Sequence, residues 1–125
     1  RRLCPYCQKE AALPEDLQQF LDKQIHQIPP EIMEKRFGKK NPELKVYEAE
    51  GCTKCENTGY KGRVLIDEIL EVDEELKNVV VTNPTIDAIR ETAKRQNMIS
   101  MAQDGILKAL DRKTSLSEVL RVTQE

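Results

Sequence analysis

Apolar residues between positions 15 and 28 fall at Leu17, Phe20, Leu21, Ile25 and Ile28, a single stripe at helical spacing. Pro14 suits the first turn of that helix, and Glu15 and Asp16 suit its positive N-terminus. Pro29-Pro30 stops it. A second short helix is expected over Glu31 to Phe37, with Ile32, Met33 and Phe37 turned inward and Gly38 just past its end. Lys39 to Glu43 reads as a surface loop, and Lys45 to Ala49 as a short strand, since Val46 and Tyr47 favour β structure. Residues 8 to 13 read only as a polar stretch.

The period changes twice further on. Val64 to Leu70 carries apolar residues on both faces, which predicts a strand covered on both sides. From Asp73 the spacing is helical again. Asp73 caps a helix presenting Leu76, Val79 and Val80, and Asn83-Pro84 starts one carrying Ile86, Ile89 and Ala93. Ser100 to Leu110 follows, with Ala102, Ile106, Ala109 and Leu110 inward. Ser115-x-x-Glu118 is a capping-box pattern opening a last helix with Leu116, Val119 and Leu120 buried. The expected fold is α+β: a small subdomain of short strands and helices over 1–63, then a strand and a helical bundle over 64–125.

Composition sharpens this picture in one respect. The chain has 125 residues, 38% of them hydrophobic, with three tyrosines, two phenylalanines and no tryptophan. So modest a core is the setting in which a structural metal becomes useful. A formal net charge of −2 argues against nucleic acid or anionic lipid as a whole-surface partner. No apolar run is long enough to span a bilayer, and no signal peptide opens the chain. Arg1-Arg2-Leu3 reads as mid-protein sequence, so a piece of a longer polypeptide is expected.

All four cysteines lie in two C-x-x-C pairs, Cys4-Pro5-Tyr6-Cys7 and Cys52-Thr53-Lys54-Cys55. Each pair lets two thiolates reach one tetrahedral ion, so together they would supply a closed shell for one Zn2+. Two disulfides are the alternative in an oxidising compartment; without an export signal the pattern favours zinc. Gly51, Gly59 and Gly62 surround the second pair, where backbone amides must turn tightly toward sulfur. A shell of four thiolates leaves no position for water or substrate, so the metal's role would be structural.

Other chemistry is weakly supported. Cys4-Pro5-Tyr6-Cys7 matches the active-site motif of glutaredoxins, but no strand precedes it and the next helix signal starts only at Pro14. No phosphate-binding G-x-x-x-x-G-K-[ST] loop occurs. His26 lies on an amphipathic helix as a surface or boundary residue, and Asp67 and Glu68 adjoin on a strand and so point apart. Lys35, Arg36, Lys39 and Lys40 form a basic cluster better read as a solvated face than as a phosphate site. No catalytic residue and no cofactor-binding residue is assigned. A zinc-ribbon adaptor for protein or nucleic acid and a thiol oxidoreductase are the competing functional classes.

Three runs taken together resemble a known family. They are Arg2-Leu3-Cys4-Pro5-x-Cys7; Gly51-Cys52-x-x-Cys55-x-x-Thr58-Gly59-Tyr60-x-Gly62-Arg63 with Glu68 following; and Asp104-Gly105 followed by Thr114-Ser115-Leu116-x-Glu118-Val119 and Arg121-Val122-Thr123. In this order they resemble the C-terminal part of the secretion ATPases, the hexameric motors of type II secretion and type IV pilus assembly. The resemblance implies a cytoplasmic parent, peripheral to the bacterial inner membrane, whose nucleotide core, with its ATP and Mg2+, lies before Arg1. It implies that Cys4, Cys7, Cys52 and Cys55 are zinc ligands and that the last helices pack back on that core. It also implies that this piece hydrolyses no ATP itself. Partners would be the parent's core, neighbouring subunits of a homohexamer and an inner-membrane platform protein, with nucleic acid not expected. One departure stands out: the family usually has glycine two residues before the Thr-Ser-Leu run, and this chain has Arg112. If that position is left-handed, the side chain costs about 1 kcal/mol.

Overall fold

The structure, a computed structural model, is described for residues 1–124. It is α+β, with six helices and one two-stranded sheet. In chain order come β1 (Gln8–Ala11), α1 (Glu15–Ile25), α2 (Pro30–Phe37) and β2 (Val46–Ala49). A short 3-10 turn at Thr53–Cys55 is followed by α3 (Glu74–Thr82), α4 (Ile86–Arg95), α5 (Met101–Leu110) and α6 (Leu116–Thr123).

The main core joins the two halves of the chain. Leu21, Ile28, Met33 and Val46 from the first half pack with Ile106, Leu107, Ala109, Leu116 and Val119 from α5 and α6. α5 is the central element, with Gln103 to Leu107 all buried, and it contacts α1, β2 and α6. Gly105 lets α6 approach: a Cβ there would stand 2.7 Å from a methyl of Val119.

Most helix signals act as the sequence suggests. Asp73 accepts the Leu76 amide at 2.8 Å, Gly38 closes α2 in a left-handed conformation, and Ser100 with Gln103 forms a complete capping box. α5 ends in a Schellman motif, with the Lys113 amide bonded to the Lys108 carbonyl and the Arg112 amide to Ala109. Arg112 occupies its left-handed position at φ 64°, so the departure from glycine carries backbone strain. Its guanidinium lies 4.5 Å from the centroid of the Tyr47 ring, which offsets part of that cost.

Several expectations are corrected. Val64 to Leu70 forms no strand and makes no ladder, and Leu65 and Ile69 are each 72% exposed. A strand apolar on both faces needs neighbours on both, and the described residues supply them on one side only. Gln8–Ala11, read as polar chain, is a strand; it lacks apolar alternation because it is one half of a solvated ribbon. Val80 and Ile86 point outward rather than into the bundle. Thr85, not Asn83, caps α4, and Pro14 sits just outside α1 with extended backbone. Ser115 accepts the Glu118 amide, but the Glu118 carboxylate turns to Arg1 and Arg121 instead of completing the box.

Candidate metal centre

β1 and β2 run antiparallel with Gln8 opposite Ala49 and Ala11 opposite Val46. This register ends at Cys7 on one strand and runs on to Gly51 and Cys52 on the other, so the ribbon itself brings the two cysteine pairs together. A second pairing locks them from the opposite side. Leu3 bridges Tyr60, the Cys4 amide donates to the Gly59 carbonyl at 2.9 Å, and the Lys61 amide donates to the Arg2 carbonyl at 2.8 Å.

The second pair sits in a tight backbone loop. Cys52 is extended, the 3-10 turn follows, and Glu56 and Asn57 are both left-handed, with the Asn57 amide returning to the Cys52 carbonyl at 2.8 Å. Gly51 at φ 102° has no room for a side chain, since a Cβ would lie 2.7 Å from the Asn57 carbonyl oxygen. At Gly59 (φ 80°) it would lie 2.8 Å from the Ala49 carbonyl oxygen. Both glycines therefore answer a steric as well as a conformational demand.

The four sulfurs lie within 4.8 Å of one another. Cys4 to Cys52 and Cys52 to Cys55 are 3.8 Å apart, and Cys7 to Cys55 is 3.9 Å. A tetrahedron with Zn–S arms of about 2.3 Å has edges of about 3.8 Å. This spacing is far beyond a disulfide's, which needs about 2.0 Å. The donor set and its geometry thus fit a four-coordinate soft metal, and the cluster could hold one ion. Backbone amides support it: Cys52 and Gly59 donate to the Cys55 sulfur at 3.2 and 3.3 Å.

The four thiols act on one another's protonation. Burial, with smaller contributions from the neighbouring thiols, raises Cys7 to about 12 against the lowering effect of the Gly51 amide. Burial also works to raise Cys55, but the Cys52 and Gly59 amides and the thiols of Cys52 and Cys7 prevail and bring it down to about 6. One thiolate is favoured while its neighbour is suppressed, as expected of adjacent thiols that cannot both ionise readily. A bound divalent ion would remove that conflict. The pair Cys4–Cys7 leads into β1, not into a helix, so the first thiol lacks the helix N-terminus that activates glutaredoxin-type cysteines.

Residues that the reading of single motifs missed connect this centre to the last helix. The Tyr60 hydroxyl lies 2.7 Å from the Ser115 hydroxyl, and the Arg1 guanidinium stacks over the Tyr60 ring at 4.3 Å. The Thr114 hydroxyl donates to the Arg1 carbonyl at 2.7 Å, and the Leu3 amide to the Lys113 carbonyl at 2.9 Å. Glu118 is almost fully buried and accepts from Arg1 and Arg121. The Arg121 and Arg1 guanidinium groups hold its carboxyl well below the usual range against the opposing effect of burial. The signal was in the sequence: Tyr60, Thr114, Ser115, Glu118 and Arg121 are all in the family-like runs.

The remaining candidates stay apart from this centre. His26 is exposed and bonded to the Asp22 carbonyl, Asp67 and Glu68 use different partners, and Arg36 of the basic cluster pairs with Asp111 at 3.6 Å.

Comparison with known proteins now places the chain. The family profile described as type II/IV secretion system protein matches residues 1–121, and the chain belongs to that family. It is 35% identical to a type IV pilus assembly ATPase PilB from Thermus thermophilus over 128 residues, covering all of this chain and 13% of the relative. It is 33% identical to a type II secretion system ATPase E from Vibrio cholerae over 125 residues, again all of this chain and 22% of the relative. A PilB from Pseudomonas aeruginosa is 33% identical over 125 residues, with 20% of its length covered. The chain thus spans about a fifth or less of the first pilus-assembly relatives it matches. No described helix is long and apolar enough to cross a membrane.

Proposed function

We propose that this chain is the zinc-bearing C-terminal region of a hexameric ATPase powering type II secretion or type IV pilus assembly. The observation that carries the reading is the convergence of four sulfurs at tetrahedral spacing in a chain the family covers almost end to end. Cys4, Cys7, Cys52 and Cys55 hold one structural Zn2+. The metal closes the loop from residue 7 to residue 52, and the network from Tyr60 through Ser115 to Glu118 carries that rigidity into α6. ATP and Mg2+ act in a nucleotide core elsewhere in the parent polypeptide, and this region contributes no catalytic group. Its surfaces serve contacts with that core, with neighbouring subunits or with a membrane platform protein, on the cytoplasmic side of the inner membrane.

The test compares ATP hydrolysis and oligomeric state of the full-length polypeptide with those of its Cys52→Ser variant, alongside the 125-residue chain. The expected result is turnover by the full-length protein, none by the short chain, and loss of zinc and of the hexamer in the variant. A zinc-free variant that assembles and turns over normally would contradict the structural role. Turnover by the short chain would contradict its non-catalytic assignment.

A further inference from the structure

Strained backbone is concentrated just after the second cysteine pair. Two of the four non-glycine residues with positive φ among the described residues, Glu56 (φ 56°) and Asn57 (φ 60°), are consecutive there, and Gly59 follows at φ 80°. Left-handed side-chain-bearing residues persist only where their surroundings hold them. Backbone bonds supply part of the hold, from the Thr58 amide to the Cys55 carbonyl at 3.2 Å and from the Asn57 amide to the Cys52 carbonyl at 2.8 Å. The rest comes from one side chain. The Thr58 hydroxyl lies 2.7 Å from the Cys55 carbonyl oxygen and 2.8 Å from that of Tyr60, so its single proton is shared between them. Its oxygen also accepts the Tyr60 amide at 3.2 Å. The hydroxyl thus grips the chain on both sides of Gly59.

Gly59 is where this grip reaches the sulfur cluster. Its amide donates to the Cys55 sulfur at 3.3 Å, and its carbonyl accepts the Cys4 amide at 2.9 Å. One residue therefore holds the second cysteine pair by a sulfur and the first by its backbone. Cys4 and Cys55 are the two buried cysteines, so this tie lies on the enclosed side of the cluster. Glycine is the least restricted of residues, and only its neighbours can keep it in one pose. A side chain at the position could not supply the restraint, since a Cβ would stand 2.8 Å from the Ala49 carbonyl oxygen. The restraint has to come from next door.

We propose that Thr58 is a positioning residue of the metal centre: its hydroxyl locks the turn from Cys55 to Tyr60 so that the Gly59 peptide ties the two cysteine pairs together. The inference rests on the reading of the cluster as a zinc site. An amide donating to a metal-bound thiolate withdraws charge from the sulfur and fixes its orientation, and both effects strengthen the site. Without the hydroxyl the strained turn relaxes, and the Gly59 amide leaves the Cys55 sulfur. The loss falls at the lower end of the range for groups behind the ligands, because Thr58 is at the surface and water replaces its hydroxyl in part.

The test uses the 125-residue chain loaded with a magnetically active cadmium isotope, a stand-in for zinc, beside its Thr58→Val and Thr58→Ser variants. Scalar coupling between the metal and an amide proton reports an N–H···S bond through the coordinated sulfur. Coupling at the Gly59 amide is expected in the unaltered chain and in Thr58→Ser, and is expected to vanish in Thr58→Val, while coupling at the Cys52 amide persists in all three. Zinc affinity, measured by competition with a chelator, should fall roughly tenfold in Thr58→Val and stay unchanged in Thr58→Ser. Equal Gly59 coupling and equal affinity in all three chains overturn the inference. So does a Thr58→Ser variant as weak as Thr58→Val. A loss of helical circular dichroism in metal-loaded Thr58→Val overturns it as well, since the hydroxyl would then serve the fold at large. An unaltered chain that takes up neither cadmium nor zinc refutes the metal reading beneath, whereas a loaded chain indifferent to Thr58→Val refutes the role of Thr58 alone.

Discussion

Replacing Gly105 by alanine sets two known effects against each other. In a helix interior the change alone favours folding by about 1 kcal/mol, because alanine loses less backbone freedom. Here the new methyl would lie 2.7 and 3.1 Å from the two Val119 methyls and 3.4 Å from its Cβ. Val119 is 1% exposed, and a valine in a helix has one strongly preferred rotamer, so it cannot swing aside. α5 and α6 must separate instead, and α5 is already held by α1 and β2 on its other sides. Overpacking of this kind costs about 1–3 kcal/mol, enough to outweigh the propensity gain. The net expectation is a destabilisation of about 1 kcal/mol, read as a lower urea midpoint by circular dichroism on the zinc-loaded chain. The double variant Gly105→Ala/Val119→Ala supplies the control. Val119→Ala alone should cost about 2 kcal/mol, and the methyl added by Gly105→Ala should then recover about 1 kcal/mol by filling the space. A raised midpoint for Gly105→Ala, or strict additivity in the double variant, would refute the close α5–α6 contact.

Three further outcomes follow from the same structure. Gly51→Ala forces a Cβ to 2.7 Å from the Asn57 carbonyl oxygen and strains φ 102°, so zinc affinity should fall about 10- to 100-fold in competition with a chelator; unchanged affinity would contradict the loop geometry. Glu118→Gln should cost about 1–2 kcal/mol at pH 7, not more, because Arg1 and Arg121 are over half exposed and can rehydrate. Since the folded Glu118 carboxyl is depressed, its contribution is full above the unfolded value of about 4.3 and is lost as pH falls toward the lower folded value, so the two proteins should converge in acid; a gap constant with pH would contradict the ion-pair account. Arg112→Ala should destabilise by about 0.5–1 kcal/mol through loss of the Tyr47 contact, whereas Arg112→Gly should be near neutral because relief of the left-handed strain offsets it; equal losses would show that strain is negligible there.

The helices were legible because each carries its own start signal and a single apolar stripe, as Asp73 and Ser100 show. The convergence of the cysteines was equally plain, since two C-x-x-C pairs are a local pattern that can bring four sulfurs to one point, as they do here. What could not be read depends on partners distant in sequence. Gln8–Ala11 becomes a strand only because Val46–Ala49 lies opposite, and Lys9 and Glu10 carry no hint of that pairing. Val64–Leu70 shows the converse: its composition states what it needs, and its surroundings determine whether that need is met. Periodicity turns Val80 and Ile86 inward, yet both are exposed, because it locates a stripe but not which side of a short hairpin is covered. The local pattern makes Glu118 a cap partner, while two arginines, one of them 117 residues away, draw its carboxylate elsewhere.

The central claim is that the four sulfurs hold one structural zinc ion. X-ray absorption at the zinc edge, on the chain purified under reducing conditions and with its metal content measured in the same sample, tests it most directly. The account predicts one zinc per chain with four sulfur neighbours at about 2.3 Å and no nitrogen or oxygen in the shell. A metal-free folded chain, or a zinc shell with fewer than four sulfurs, would contradict it.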